Sequence, residues 1–142
     1  MAIALEEARA AEARGEVPIG AVVVRDGVLI SRAGNRTVAD DDPTAHAEML
    51  AIRAAAASLG SQRLVGADLY VTLEPCPMCA AAISFARIRR LYYGTRDPKS
   101  GAVDSGVQLF AQPTCHHAPE VYGGIRESEA GGMLTAFFRS RR

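Results

Sequence analysis

Long apolar runs are missing from this 142-residue chain, so no segment approaches the length needed to cross a bilayer. A basic start with an apolar stretch behind it is missing too. Met1-Ala2-Ile3-Ala4-Leu5 turns acidic at Glu6 and Glu7, unlike a signal peptide, so the expected location is the cytoplasm. Cysteine is scarce: the three present are an odd number, and two sit as Cys76-x-x-Cys79. In a reducing compartment that spacing points to metal or redox chemistry before a structural disulfide. Net charge is also lacking, at a formal +0, so nothing global demands a nucleic-acid partner. Lysine is nearly absent, Lys99 being the only one. The arginines gather at Arg87-Ile88-Arg89-Arg90, near Arg96, and at Arg139-Ser140-Arg141-Arg142. Arginine suits bidentate phosphate contacts, yet it is equally ordinary surface, and charge alone settles no function.

What is present is an ordinary globular composition, 49% apolar, in a length that fits one domain over residues 1–142. Ala2 to Arg14 is rich in Ala, Glu and Arg and predicts a helix stopped by Gly15. Ile19–Val24, the turn dipeptide Asp26-Gly27 and Val28–Ile30 predict a β-hairpin. A polar loop over 35–43 precedes a helix from Thr44 or Ala45 to about Ser58, closed by Gly60. Asp68–Leu73 reads as an interior strand, Pro75-Cys76-Pro77 as the start of a helix to about Arg87, and Arg90–Gly94 as another strand. Residues 95–113 read mostly as loop and Val121-Tyr122 as a short strand. Glu127–Arg139 reads as a last helix with Met133, Leu134, Phe137 and Phe138 as its apolar stripe. On that pattern both phenylalanines are expected in the core. Strands alternating with helices predict a three-layer α/β/α domain with a hairpin at one end of a mixed sheet. The chain has no internal repeat, low-complexity segment or interdomain linker.

Two stretches carry chemistry: His46-Ala47-Glu48 and Pro75-Cys76-Pro77-Met78-Cys79, each expected at a helix start after a loop. Cysteines three apart across a helix start can both reach one ion, and the helix dipole favours their thiolates. His46 makes a third ligand. Three protein ligands plus an open position describe a catalytic zinc site, whereas a fourth would close it into a structural one. Cys115, His116 and His117 are remote in sequence and stay open as a fourth, although a surface loop or core cysteine is the simpler reading. Glu48 sharpens the choice, because a structural site has no use for a carboxylate. A hydrolytic site does: the carboxylate takes a proton from water and delivers it to the leaving nitrogen. Two residues along a helix amount to a rotation of about 200°, so His46 and Glu48 can share a site only if it wraps the helix start. Separately these motifs are weak, Cys-x-x-Cys serving redox pairs as readily. Combined, in this order and with Pro75 before the first cysteine, they match the His-x-Glu…Pro-Cys-x-x-Cys pattern of zinc nucleobase deaminases.

The chain resembles the cytidine deaminase superfamily, and within it the branch that converts the wobble adenosine of tRNA to inosine. The resemblance runs from Glu16-Val17-Pro18-Ile19-Gly20-Ala21 through Gly34-Asn35-Arg36, Asp42–Glu48, Leu69–Cys76 and Tyr93–Ala102 to the closing Phe137-Phe138-Arg139-Ser140-Arg141-Arg142. Residues 105–119 depart from the pattern. The resemblance implies a central five-stranded mixed sheet, one Zn2+ per chain on His46, Cys76 and Cys79, and Glu48 as the proton-moving group. It implies that Asn35 binds the target base, that Ile19 and Leu73 wall its pocket, and that Asp97 and Lys99 lie near the flanking nucleotides. It further implies that the Ala47 and Cys76 amides orient the reacting groups, that His117, Arg139, Arg141 and Arg142 lie along the RNA, and that the enzyme is a homodimer acting on the tRNA anticodon loop. Guanine deaminases share the metal stretches, so deamination of a free base stays open, as does a non-catalytic zinc-stabilised RNA-binding module. A thiol-disulfide protein would make His46 and Pro75 coincidental.

Overall fold

The computed structural model describes residues 1–141. Helix α1 (Ala2–Ala13) leads into a hairpin of β1 (Gly20–Arg25) and β2 (Val28–Gly34), then α2 (Ala47–Leu59) and β3 (Ala67–Leu73). Helix α3 (Pro77–Ala86), β4 (Arg90–Thr95), a single 3-10 turn at Leu109–Ala111, β5 (Glu120–Tyr122) and α4 (Glu127–Arg139) complete the described chain. The strands form one sheet in the order β2-β1-β3-β4-β5. β1 is antiparallel to both neighbours, while β3, β4 and β5 run parallel. The hairpin turns through Asp26 and Gly27, both at positive φ (52° and 75°), the backbone that a tight two-residue turn requires.

Alternation along the strands sorts the helices into two outer layers. Ala21, Val23, Leu69, Val71, Leu91 and Tyr93 join one buried cluster with Ala47, Ala51 and Ala55 of α2 and Ile83 of α3. The neighbouring positions face the other way. A Cβ on Gly20 would lie 1.9 Å from the Ala4 carbonyl oxygen of α1, and one on Gly94 would lie 2.9 Å from Ala130 Cβ of α4. Helices α2 and α3 therefore cover one face, α1 and α4 the other. The close seat of α1 is possible only because Gly20 has no side chain.

The main departures from the sequence reading are local. Strand β2 continues to Gly34, beyond the expected Ile30, because its pairing with β1 persists to Gly20↔Gly34. Helix α2 begins at Ala47 rather than Thr44 or Ala45. Asp42 Oδ1 accepts hydrogen bonds from both the backbone N–H and the hydroxyl of Thr44, and that local turn competes with helix. Phe137 is buried at 4% exposure, but Phe138 is 49% exposed and is not core.

Candidate metal and catalytic site

Strands β2 and β3 point the same way, so the loops that leave them emerge at one edge of the sheet, where ligand sites in α/β folds form. The first loop delivers His46 as the N-cap of α2, with extended backbone (φ −72°, ψ 151°). The second delivers Cys76 as the N-cap of α3 (φ −73°, ψ 174°), followed by Pro77 in the first turn and by buried Cys79. Because His46 stands outside the helix proper, the rotation that would separate it from Glu48 does not apply. Both side chains reach the same site.

His46 Nδ1 lies 3.7 Å from Cys76 Sγ and 3.5 Å from Cys79 Sγ, and the three donor atoms all fall within 4.8 Å of one another. A tetrahedral ion with the bond lengths zinc takes to nitrogen and sulfur would place such donors about 3.6 Å apart, so the set fits zinc. Cys115 is engaged elsewhere: its Sγ contacts the His117 carbonyl at 3.1 Å and the Ser84 hydroxyl at 3.5 Å. Among the described residues the group is therefore His46, Cys76 and Cys79 alone.

The electrostatics of the group are those of close, partly buried donors that compete for protons. The Cys79 thiol, and after it His46, hydrogen-bond to Cys76 and hold its thiol down at about 4 against the effect of burial. Cys79 is pushed up by that shared proton and by its own burial. The contact with Cys76 raises the His46 pKa. Glu48 is 4% exposed, and burial raises its carboxyl above the ordinary carboxylate value. That is the direction a group that gives and takes protons near neutral pH needs.

Asn35, at the end of β2, is 5% exposed, and its Oδ1 has no hydrogen-bond partner. Its backbone is fully used, the N–H donating to the Ile19 carbonyl and the carbonyl accepting from Arg14. An unpaired buried amide oxygen costs folding free energy, about 1–3 kcal/mol, and is the mark of a group kept for a ligand. A groove of about 750 Å³ is lined by Ile19, Leu73, Asp97, Lys99, Ser100, Phe138 and Arg141, among others. It gathers four of the residues expected to touch substrate, together with one expected along RNA. The Arg141 guanidinium lies 3.7 Å from the centroid of the Phe137 ring, which fixes its position beside the groove. Arg139 is exposed, and Arg142 lies outside the described residues.

The structure does not bring His117 to this groove. Its Nε2 lies 2.7 Å from the Ile88 carbonyl oxygen, at the start of β4, the opposite edge of the sheet from Cys76. The sequence reading missed two further acids, Glu16 and Glu74, buried at 1% and 2% exposure. Glu16 accepts the backbone N–H groups of Val38 and Ala39 and so holds the loop that leads to His46. Nothing in its sequence context separates a clamping carboxylate from a solvated one.

Residues 1–95 match the model of the cytidine and deoxycytidylate deaminase zinc-binding region. A tRNA-specific adenosine deaminase of Agrobacterium fabrum is 66% identical over 142 residues, spanning 100% of this chain and 93% of that protein. A tRNA-specific adenosine deaminase of Bacillus subtilis is 49% identical over 139 residues, spanning 98% of this chain and 86% of its own length. A solved structure from work on A-to-I editing by tRNA:A34 deaminases superimposes with a TM-score of 0.93 at 67% identity, over 94% of this chain and 97% of that one.

Replacing Cys79 by alanine removes one of three donors and opens a cavity. We expect zinc, one per chain in the parent by atomic absorption, to fall below a tenth of that content in the purified variant. Retention of stoichiometric zinc would remove Cys79 from the ligand set.

Proposed function

Because the chain belongs to the cytidine and deoxycytidylate deaminase zinc-binding family, we propose that it hydrolyses adenosine to inosine at the wobble position of tRNA, as a zinc-dependent homodimer in the cytoplasm. The observation that carries this reading is the buried, unpartnered Asn35 Oδ1 at the same sheet edge as the metal group and the buried Glu48. That amide is placed to hold a base edge, and His46, Cys76 and Cys79 hold the ion. The ion supplies, when bound, the Lewis acidity that brings the pKa of a water into the neutral range.

Glu48 accepts the proton of the attacking water and passes it to the ring nitrogen as the oxygen adds to carbon six. It then takes the remaining proton from the hydroxyl now on carbon six and delivers it to the exocyclic amine, which leaves as ammonia as the carbonyl forms. Burial raises the Glu48 carboxyl, the direction that favours taking up the first proton. The starts of α2 and α3 leave N–H groups without intrahelical partners, and those of Ala47 and Cys76 serve to orient the reacting groups. Ile19 and Leu73 wall the base, while Asp97, Lys99 and Arg141 face the flanking nucleotides along the groove. The target base must leave its stack to reach a buried site, which costs least in a single-stranded loop. Arg139, exposed on the last turn of α4, lies toward the same basic end. No helix among the described residues is long and apolar enough to cross a membrane.

Pairing of two copies has a surface to use. Phe85 is 73% exposed and Val107 55%, beside an apolar cleft of about 350 Å³ between α3 and the segment around Cys115. Light scattering should give the mass of a dimer, and a monomer at micromolar concentration would count against this part of the reading.

The activity is tested with an anticodon stem-loop RNA carrying adenosine at the wobble position. The parent protein should form inosine there and release no ammonia from free guanine, cytosine or adenosine. Glu48→Ala should keep zinc and fold while losing turnover by about 10²–10⁴-fold. Ammonia from free guanine without inosine in the RNA would move the protein to free-base deamination. Activity in the Glu48→Ala protein would remove the proton role. Charge reversal at Arg141 should weaken RNA binding and lower the slope of log K against log salt by about 1, with zinc content unchanged. An unchanged slope would take Arg141 off the RNA path.

A further inference from the structure

In sequence Glu74 lies between the groove-lining Leu73 and the metal-ligating Cys76, yet its side chain is buried at 2% exposure and does not line the groove. Its carboxylate is one of the most fully bonded groups in the protein. Oε1 accepts the Asp97 N–H at 2.9 Å and the Ser105 hydroxyl at 2.9 Å. Oε2 accepts the N–H groups of Val103, Asp104 and Ser105 at 3.1, 2.9 and 2.9 Å. These five bonds close both ends of the segment 97–105 onto a single side chain at the end of β3. Burial alone would lift the carboxyl pKa, but the amides outweigh it and hold the group below its ordinary value.

The fit extends to the residues around it. A Cβ on Gly101 would lie 2.6 Å from the Glu74 carboxyl carbon and 2.5 Å from the Asp97 carbonyl oxygen, so glycine is required where the segment wraps the carboxylate. The Ala102 N–H donates to the Pro75 carbonyl at 2.9 Å, tying the same segment to the residue before Cys76. Inside this frame Asp97 Oδ1 accepts the N–H groups of Lys99 and Ser100 and shapes the turn that lines the groove. Arg96 bonds the Ser105 hydroxyl and the Asp104 carbonyl, and Tyr93 donates to Asp104, so the far side is braced as well.

We propose that Glu74 is a positioning residue for substrate: it sets the distance between the metal-ligating start of α3 and the Asp97–Ser100 turn that faces the nucleotides flanking the target base. The inference rests on the RNA-deaminase reading of the groove. Without the clamp, the turn shifts out of register against Leu73 and grips the RNA less well, while His46, Cys76, Cys79 and Glu48 stay in place. The signature is a rise in KM with kcat preserved, since the turn holds the flanking nucleotides equally in the ground and transition states.

Glu74→Gln is the test, because it keeps the shape and turns one acceptor oxygen into a donor facing N–H or O–H groups. With the anticodon stem-loop as substrate, KM should rise by roughly 10- to 100-fold. The kcat should stay within about threefold of the parent value, with one zinc per chain retained. Gly101→Ala leaves the carboxylate intact but pushes the segment off it, and should show the same split. Ser105→Ala removes one bond of the five and should give a smaller rise in KM. An unchanged KM in an active Glu74→Gln protein would overturn the proposal. So would a fall in kcat with loss of zinc, which would place Glu74 in the metal site. Should Glu74→Gln fail to fold, the Gly101→Ala and Ser105→Ala proteins decide on the same criteria. If the parent itself formed no inosine, the functional reading would fail separately. Amide exchange would still decide the clamp: faster exchange at Asp97 and Val103–Ser105 in the Glu74→Gln protein supports it, and unchanged exchange overturns it.

Discussion

Everything at the site depends on seating two helix N-termini against the same edge of one sheet. A helix start offers unpaired N–H groups and a positive dipole end, and two of them side by side make a place where negative charge is stabilised. Cys76 takes advantage of that place as a thiolate. The cost appears next door: the anionic Cys76 adds to the burial that discourages Glu48 from charging, and Cys79 keeps its proton. A divalent cation held there would favour both thiolates, since ligation needs them deprotonated.

The seating is achieved with small residues. Ala47, Ala51 and Ala55 repeat at the helical spacing along the buried side of α2, which brings that helix close to the hairpin. On the opposite face Gly20 admits the backbone of α1. Close approach on both sides fixes β1 in the middle of the sandwich, and β1 in turn aligns β2 and β3 so that their ends coincide. Two irregular segments flank the site, the loop before His46 and the stretch 97–105 after β4, and irregular buried backbone must find hydrogen-bond partners among side chains. Glu16 and Glu74 supply those partners for the two loops.

The order of elements and the metal group were readable from the sequence because both rest on local signals. Asp26-Gly27, Gly60 and Pro75-Cys76-Pro77 each mark a turn or helix end through backbone constraints of their own residue types. The His-x-Glu and Pro-Cys-x-x-Cys spacings place donors at helix starts whatever surrounds them. Phe138 was not readable: a helical stripe shows which side is apolar, but not where the sheet beneath it ends. His117 was not readable either, because residues 105–119 have no periodicity, and its position follows from a carbonyl of Ile88 distant in sequence. The start of α2 moved because Asp42 and Thr44 form a turn that propensity does not weigh.

Three buried glutamates differ in ways that a sequence conceals. Glu16, Glu48 and Glu74 are all at most 4% exposed, and residue type cannot tell them apart. Their surroundings do. Burial raises the Glu48 carboxyl, against the lowering effect of the Cys79 and His46 contacts, so its proton is held more tightly than in water. Glu74 is buried among four backbone N–H groups and a hydroxyl, so its charge is held and its oxygens are fixed in space. A carboxyl whose charged form is destabilised can move protons. One whose charged form is saturated with donors can only hold backbone. Opposite shifts in two acids flanking one metal group thus divide the work between chemistry and placement, the arrangement expected when a site must bind a large substrate and still present one carbon atom to water.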